Sequence, residues 1–118
     1  AASLPIFFNT EKAPATWCDY FQKADLARQY QNWEEIAQLG DAAFGSGKTP
    51  NHPSERIPFI EGYAHVGAWE KAEKITLEAP NRNSMFCAAW ARIQAETAPS
   101  AERKQTLSRI KNQLNCDF

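Results

Sequence analysis

Apolar residues recur at three- and four-residue steps along most of this chain, which is the spacing of one face of an α-helix. The first stripe follows Thr16, where a hydroxyl and a carboxylate three residues later form a capping box, and the second follows Asn32. We expect Ser54 to cap a third helix and Gly67 to end it. A fourth helix, a fifth, and a sixth capped by Ser100 complete the pattern, so the sequence predicts six helices joined by short turns.

Residues 1–15 lack this periodicity and contain Pro5 and Pro14, so we expect an extended lead-in segment before a helical domain at 16–118. Strand-like alternation is not sustained over four residues elsewhere. In the third helix we expect five residues to face inward: Ile57, Ile60, Tyr63, Ala64 and Val66. These patterns favour an all-α fold.

The chain also repeats itself. Residues 27–35 (ARQYQNWEE) align with residues 63–71 (YAHVGAWEK) at an offset of 36 residues, which places Trp33 and Trp69 at equivalent positions. Repetition of a two-helix unit is typical of stacked helical hairpins. We therefore predict three antiparallel hairpins, each made of two consecutive helices.

This pattern resembles the tetratricopeptide-repeat family, whose unit is two antiparallel helices of about 34 residues. The match is clearest at 67–72 (GAWEKA) and looser after Asn32. Ile36 stands where that family has a small residue, and Gly40 and Thr76 stand where it usually has an aromatic one. The third pair of helices keeps only the helix-turn-helix pattern. The resemblance implies a right-handed superhelical stack with a concave surface lined by the first helix of each pair.

That concave surface is the candidate binding site. Its expected residues are Phe21, Asp25, Arg28, Gln29, Ile57, Glu61, Ala64 and His65, with Arg92 extending the row. The mixed charges suit a peptide or protein ligand held by hydrogen bonds. The alternative is a surface that contributes only to solubility.

A second resemblance concerns residues 17–29, 32–41 and 58–63, which are similar to the soluble C-terminal region of bacterial multi-spanning membrane proteins of the glycosyltransferase-like type. It implies a location on the extracytoplasmic face of a bacterial membrane, as an accessory domain that helps to position a carbohydrate or protein acceptor. A cytoplasmic location is the alternative. The start at Ala1, without a Met or a signal peptide, leads us to expect a piece of a longer protein.

Composition narrows the choice of partners. A chain of 118 residues with 43% hydrophobic residues is expected to fold as one domain. Thirteen basic against fourteen acidic residues give a net charge of -1, which argues against a nucleic-acid ligand. No apolar run approaches the roughly 18 residues of a membrane span, so we expect no membrane insertion of this segment. Self-association through the last helix is a further hypothesis, because a short stack exposes its end faces.

Residues 44–50 (FGSGKTP) contain the last three residues of a phosphate-binding loop. Such a loop has the pattern GxxxxGK followed by Ser or Thr, so it needs a second Gly five residues before the Gly that precedes the Lys. It also needs a strand before the loop and a helix after it. Ala42 stands at the Gly position, an amphipathic helix precedes, and Pro50 follows. We therefore interpret this stretch as a helix end and an inter-repeat loop, and we predict no nucleotide or other cofactor.

No catalytic constellation or metal site is evident either. Glu61 and His65 are spaced for proton transfer or a weak ion, but a surface pair at i and i+4 is the ordinary explanation. We interpret Cys18, Cys87 and Cys116 as buried free thiols, with one bridge between Cys87 and Cys116 as the alternative.

The four tryptophans, Trp17, Trp33, Trp69 and Trp90, are interpreted as core residues, although an exposed one would offer a stacking surface for a sugar or peptide. The sequence thus predicts a non-catalytic interaction or scaffold module of a larger bacterial protein, and a self-sufficient small enzyme is disfavoured. Whether a longer protein is an enzyme is left open by the sequence.

Overall fold

Six α-helices form the domain in a computed structural model, which describes residues 15–80 and 84–118. They are α1 (Trp17–Gln29), α2 (Trp33–Gly45), α3 (Ile57–His65), α4 (Trp69–Leu77), α5 (Ser84–Glu96) and α6 (Ala101–Leu114). A short 3-10 helix, Pro53–Arg56, precedes α3, and the described residues contain no strand. The predicted all-α class and the number of helices are confirmed. The lead-in predicted for 1–15 lies, apart from its last residue, outside the described residues.

Three of the predicted helix caps are confirmed. The Thr16 hydroxyl accepts a hydrogen bond from the Asp19 backbone N–H (3.3 Å), and the Asp19 carboxylate accepts one from the Thr16 N–H (2.9 Å), which completes the capping box. Asn32 caps α2 by accepting from the Glu35 N–H, and Ser100 caps α6 in the same way. Each cap provides a partner for a backbone N–H that has none within the helix.

The start of α3 differs from the prediction. Ser54 does not cap the helix; the His52 ring accepts from the Ser54 N–H at 3.2 Å and begins the 3-10 helix that leads into α3. The predicted stop is confirmed, because Gly67 has a φ of +84°, a left-handed conformation that glycine adopts without a Cβ clash. The non-helical part of the connection after α2 is residues 46–52, because the 3-10 helix already begins at Pro53.

Helix α3 lies at the centre of the domain. It contacts α1, α2, α4 and α5, while α6 contacts α4 and α5. Residues 57–64 are all buried, which explains why this helix is nearly apolar on every side. Val66 is the exception to the expected inward set, since it is exposed just after the helix ends. Consecutive helices pack in pairs, α1 with α2, α3 with α4, and α5 with α6, so the three hairpins are present.

Helices α2 and α3, which belong to neighbouring hairpins, pack closely at two glycines. A Cβ built on Gly62 would lie 2.5 Å from Ile36 Cγ2, and one on Gly40 would lie 2.6 Å from the Tyr63 hydroxyl oxygen. Both distances are far below van der Waals contact, so each glycine permits the two backbones to pack closely. Gly40, which departs from the tetratricopeptide pattern, is thus explained by its neighbour Tyr63.

Thr76, the other departure, forms a buried hydrogen-bonded link between α4 and α5. Its hydroxyl donates to the Ala72 carbonyl at 2.8 Å and accepts from Trp90 Nε1 at 3.1 Å. Thr76 and Trp90 are both fully buried. A phenylalanine at position 76 could not supply this acceptor for the indole N–H, and a buried indole needs one.

A disulfide joins Cys87 in α5 to Cys116 in the tail after α6. Our interpretation of three buried free thiols was therefore wrong, and the alternative pairing is confirmed; Cys18 is free but exposed. The tail turns back at Asn115, whose left-handed φ of 56° lets the Cys116 N–H donate to the Lys111 carbonyl. This turn brings Cys116 to α5, a contact that cysteine spacing alone does not reveal.

Candidate functional site

A cleft of about 210 Å³ lies where the first helices of the three hairpins, α1, α3 and α5, come together. Its walls include Arg28 and Gln29 from α1, Glu61 from α3, and Arg92 from α5. The three helices are neighbours because α3 packs against both of the others. These four residues, distant in sequence, are thereby brought to one place.

The buried carboxylate of Glu61 is the centre of this cleft. Its Oε1 accepts from Arg28 Nε at 2.5 Å, and its Oε2 accepts from Arg92 Nε at 2.8 Å. The Glu61 side chain is only 4% exposed. A buried carboxylate is costly unless it is paired and hydrogen-bonded, and here each oxygen has an arginine partner. One acidic side chain therefore connects the three hairpins.

The two arginines keep donors available for a further partner. Each uses Nε for Glu61, and the terminal Nη groups of Arg28 and Arg92 have no hydrogen-bond acceptor among the described residues. Their side chains are 36% and 42% exposed, respectively. The charged residues that line the cleft are these two arginines, the buried Glu61 and the exposed Glu96, so the positive and negative charges are equal in number. The free donors of the two guanidinium groups suit a ligand group that accepts hydrogen bonds.

An aromatic pair borders the cleft on one side. The rings of Trp33 and His65 are stacked, with centroids 4.0 Å apart and an interplanar angle of 9°. His65 Nε2 also contacts Glu96 Oε1 at 3.1 Å. Trp33 and Glu96 line the cleft, and both are accessible from outside. The cleft therefore combines hydrogen-bond donors, one exposed carboxylate and part of an indole.

The expected surface pair of Glu61 and His65 was a wrong interpretation. Glu61 is buried and bonded to the two arginines, whereas His65 is bonded to Glu96. The physical reason is the central position of α3, because both neighbouring helices supply partners that are better placed than the next turn of the same helix.

The remaining residues predicted for the concave surface do not lie in the cleft. Ile57 and Ala64 are buried in the core and present no side chain to a ligand. Phe21 packs against the core and is half-buried, and Asp25 is half-buried outside the lining of this cleft. The part of the predicted row that lies at the cleft is thus Arg28, Gln29, the buried Glu61 and Arg92, with His65 adjoining.

Sequence reasoning missed Trp33 and Glu96 as lining residues. Trp33 was interpreted as a core residue like the other three, whereas only Trp17, Trp69 and Trp90 are buried. Glu96 could have been found, because it follows Arg92 by four residues and so lies on the same face of α5.

Tyr63, on α3, takes part in a separate polar contact. Its hydroxyl donates to Asp41 Oδ1 at 2.9 Å, and Lys71 Nζ donates to the same oxygen at 3.0 Å. Burial of the phenol, reinforced by the hydrogen bond to Asp41 and the charge of that carboxylate, raises the pKa of Tyr63 well above its usual value. This contact links α2, α3 and α4 and lies outside the cleft lining.

Within residues 15–80 and 84–118, no group of three or more His, Cys, Asp or Glu side chains is arranged to hold a metal ion. None of the helices described in these ranges is long and apolar enough to cross a bilayer. No protein-family model matches the chain, and no curated protein or solved structure matches it either. The two family resemblances therefore stay predictions.

Proposed function

We propose that this domain is a non-catalytic interaction module that binds a peptide or protein ligand in the cleft between α1, α3 and α5. The observation that supports this proposal best is the pair of arginines held in place by Glu61. Each arginine is fixed through Nε, and its side chain stays partly exposed. Fixing the donors before binding lowers the entropy that a ligand has to overcome. A peptide offers suitable acceptors in its backbone carbonyls and in any acidic side chain.

The test begins with peptides selected from a random display library against the wild-type domain. Arg92→Lys keeps a positive charge beside Glu61 but replaces the planar group by a single ammonium, so we expect selected peptides to bind about tenfold more weakly or worse. Arg109→Ala is the matched control, because Arg109 pairs with Glu73 between α6 and α4, away from the cleft. Fluorescence anisotropy of labelled peptides gives both dissociation constants.

Two results would count against the proposal. If no peptide is selected above background, peptides are excluded as the ligand class. If Arg92→Lys and the wild type bind the selected peptides with equal affinity, the cleft is excluded as the binding site. Circular dichroism and the unfolding midpoint of each variant separate lost binding from lost folding.

A second candidate function is that of an extracytoplasmic accessory domain in a membrane glycosyltransferase-like protein, positioning a carbohydrate or protein acceptor. The Cys87–Cys116 bridge favours it, since disulfides persist in oxidising compartments and are rare in the cytoplasm. Trp33 in the cleft wall favours a sugar ligand, which stacks well on an indole.

Alkylating free thiols during lysis of the native cells, followed by mass spectrometry, tests the location. An intact bridge between residues 87 and 116 would support it, and three alkylated cysteines would argue for the cytoplasm. Quenching of tryptophan fluorescence by oligosaccharides, lost in Trp33→Phe, would support the sugar ligand; no response to any sugar would favour a peptide.

The regular superhelix of the tetratricopeptide-repeat family is also kept as a proposal. Contact of α3 with both α1 and α5 supports it, because the first helices of successive repeats are neighbours in such a stack. An experimental structure in which the second and third hairpins are related by the same rotation as the first and second would support this arrangement, and unrelated rotations would exclude it.

A further inference from the structure

The two ends of the helical stack have different surfaces. Among the described residues, the α1/α2 hairpin packs against α3 at one end, and α6 packs against α4 and α5 at the opposite end. Solenoid-like stacks usually cover such ends with polar capping residues. Here the first end carries an exposed apolar side chain beside acids, and the last end carries a groove beside cations.

Tyr30 is the most prominent residue at the first end. It follows α1 and is 77% exposed, and Leu26, one turn earlier, is 54% exposed. Glu34 and Glu35, in the first turn of α2, are exposed close by, and Lys23 is the one basic side chain that lines the same clefts. This end therefore presents an aromatic projection with a local excess of negative charge.

The last end has a groove of about 630 Å³ along the start of α6. Leu107 and Pro99 contribute apolar surface, and the charged residues among its lining are Arg103, Lys104 and Lys111, with no acidic one. Arg103 is tied to the Thr97 hydroxyl and the Gln94 carbonyl, so it shapes the wall of the groove. Lys104 is exposed and Lys111 half-buried, and both residues line the groove; the Lys111 ammonium lies 4.9 Å from the centre of the Phe118 ring.

We propose that the occupant of this groove is the α1/α2 end of a second copy of the chain, which docks head to tail. Tyr30 enters between Lys104 and Lys111, where its ring attracts cations as well as apolar surface. Glu34 and Glu35 then face the lysines. Because each copy keeps one free end of each kind, the contact is heterologous and continues into chains or rings rather than stopping at a dimer.

Sedimentation velocity at increasing protein concentration tests the proposal. We expect the weight-average mass of the wild type to rise above 13.3 kDa at low salt and to fall back as salt screens the charges. Tyr30→Ala, a change at an exposed position, should weaken association at least tenfold while leaving the circular dichroism spectrum unchanged.

Charge reversal distinguishes head-to-tail docking from other contacts. Lys104→Glu/Lys111→Glu makes both ends acidic, and Glu34→Lys/Glu35→Lys makes both ends basic, so each variant alone should stay monomeric. An equal mixture of the two should associate again, because each then meets complementary ends. A wild-type chain that stays monomeric up to about 1 mM, where even weak contacts are populated, would overturn the proposal, as would a mixture that does not associate.

Discussion

Breaking the bridge between Cys87 and Cys116 should destabilise the domain without dismantling its native structure. The two cysteines are 29 residues apart in sequence, and the segment between them contains most of α5 and all of α6. Helix α6 has other attachments, since Leu107 and Ile110 are buried in the core and Arg109 pairs with Glu73 on α4. We therefore expect α6 to stay docked when the bridge is absent.

The magnitude follows from the loop that the bridge closes. In the chain-entropy treatment, closing a loop of about 30 residues restricts the unfolded chain enough to stabilise the native state by roughly 3.5 kcal/mol at 25 °C. A domain of this kind has a total unfolding free energy of about 5 to 15 kcal/mol. Loss of the bridge should thus remove between about a quarter and two thirds of the stability.

Urea unfolding monitored by circular dichroism measures the change. Cys18→Ser provides the background, because it removes the free thiol and with it thiol exchange. In this background, reductant or the additional changes Cys87→Ser and Cys116→Ser should lower the urea midpoint by about 1 to 3.5 M, because the unfolding free energy falls by about 1 to 3 kcal/mol per M of urea. Cys18→Ser itself should leave the midpoint of the oxidised protein unchanged.

Two outcomes would refute the reasoning. Oxidised and reduced proteins with unfolding free energies within about 0.5 kcal/mol would mean that the bridge restricts the unfolded chain very little. Reaction of three thiols per chain in the folded, untreated protein would mean that the bridge is not formed.

Three further changes test packing, hydrogen bonding and protonation. Gly62→Ala should cost about 1 to 3 kcal/mol, because the new Cβ would overlap the isoleucine of α2, whereas Gly45→Ala, with no atom near its Cβ, should be neutral or slightly stabilising by urea unfolding. Thr76→Val removes the acceptor of the buried Trp90 indole and should cost about 1 to 3 kcal/mol in thermal or urea unfolding. Tyr63 keeps its proton in the folded state after an unfolded tyrosine has lost it, so stability should fall as pH rises past about 10, less steeply in Tyr63→Phe.

Each of these has a contrary result. Similar midpoints for the two glycine variants would show that α2 and α3 separate without cost. An unchanged unfolding free energy for Thr76→Val would show that the indole N–H finds water. Identical slopes of stability between pH 9 and pH 11 for wild type and Tyr63→Phe would show that the phenol titrates normally.

Local signals in the sequence were enough to predict the helices. Thr16, Asn32 and Ser100 begin their helices through side chains a few residues from the amides that they cap, and the same holds for the stop at Gly67. The cap before α3 failed because Ser54 lies inside a 3-10 helix whose own first residue is preceded by His52. Whether residues 53–56 form a 3-10 helix or the first turn of α3 depends on how α3 packs in the core, and the spacing of apolar residues does not specify this.

The candidate site was predictable only in part. The repeat offset related Arg28 and Glu61 to the first helices of successive hairpins, and the geometry brings both together with Arg92. The sequence could not show that Glu61 is buried, because the helices that cover it precede and follow it by some 30 residues. The sequence left the cysteine pairing open for a similar reason. The turn after α6 brings Cys116 to Cys87, and the spacing of the cysteines does not reveal that turn.

The central position of α3 also limits how far this domain can be divided. Arrays of repeats often tolerate loss of a terminal unit, because each unit contacts only its neighbours. Here a chain ending before α5 would keep Glu61 but lose Arg92, and would leave the indole-binding hydroxyl of Thr76 without its partner. A chain starting after α2 would remove Arg28 and uncover the other side of α3. The three hairpins should therefore be kept together in any truncated or engineered version of this domain, because removing either terminal hairpin breaks contacts of α3 or α4.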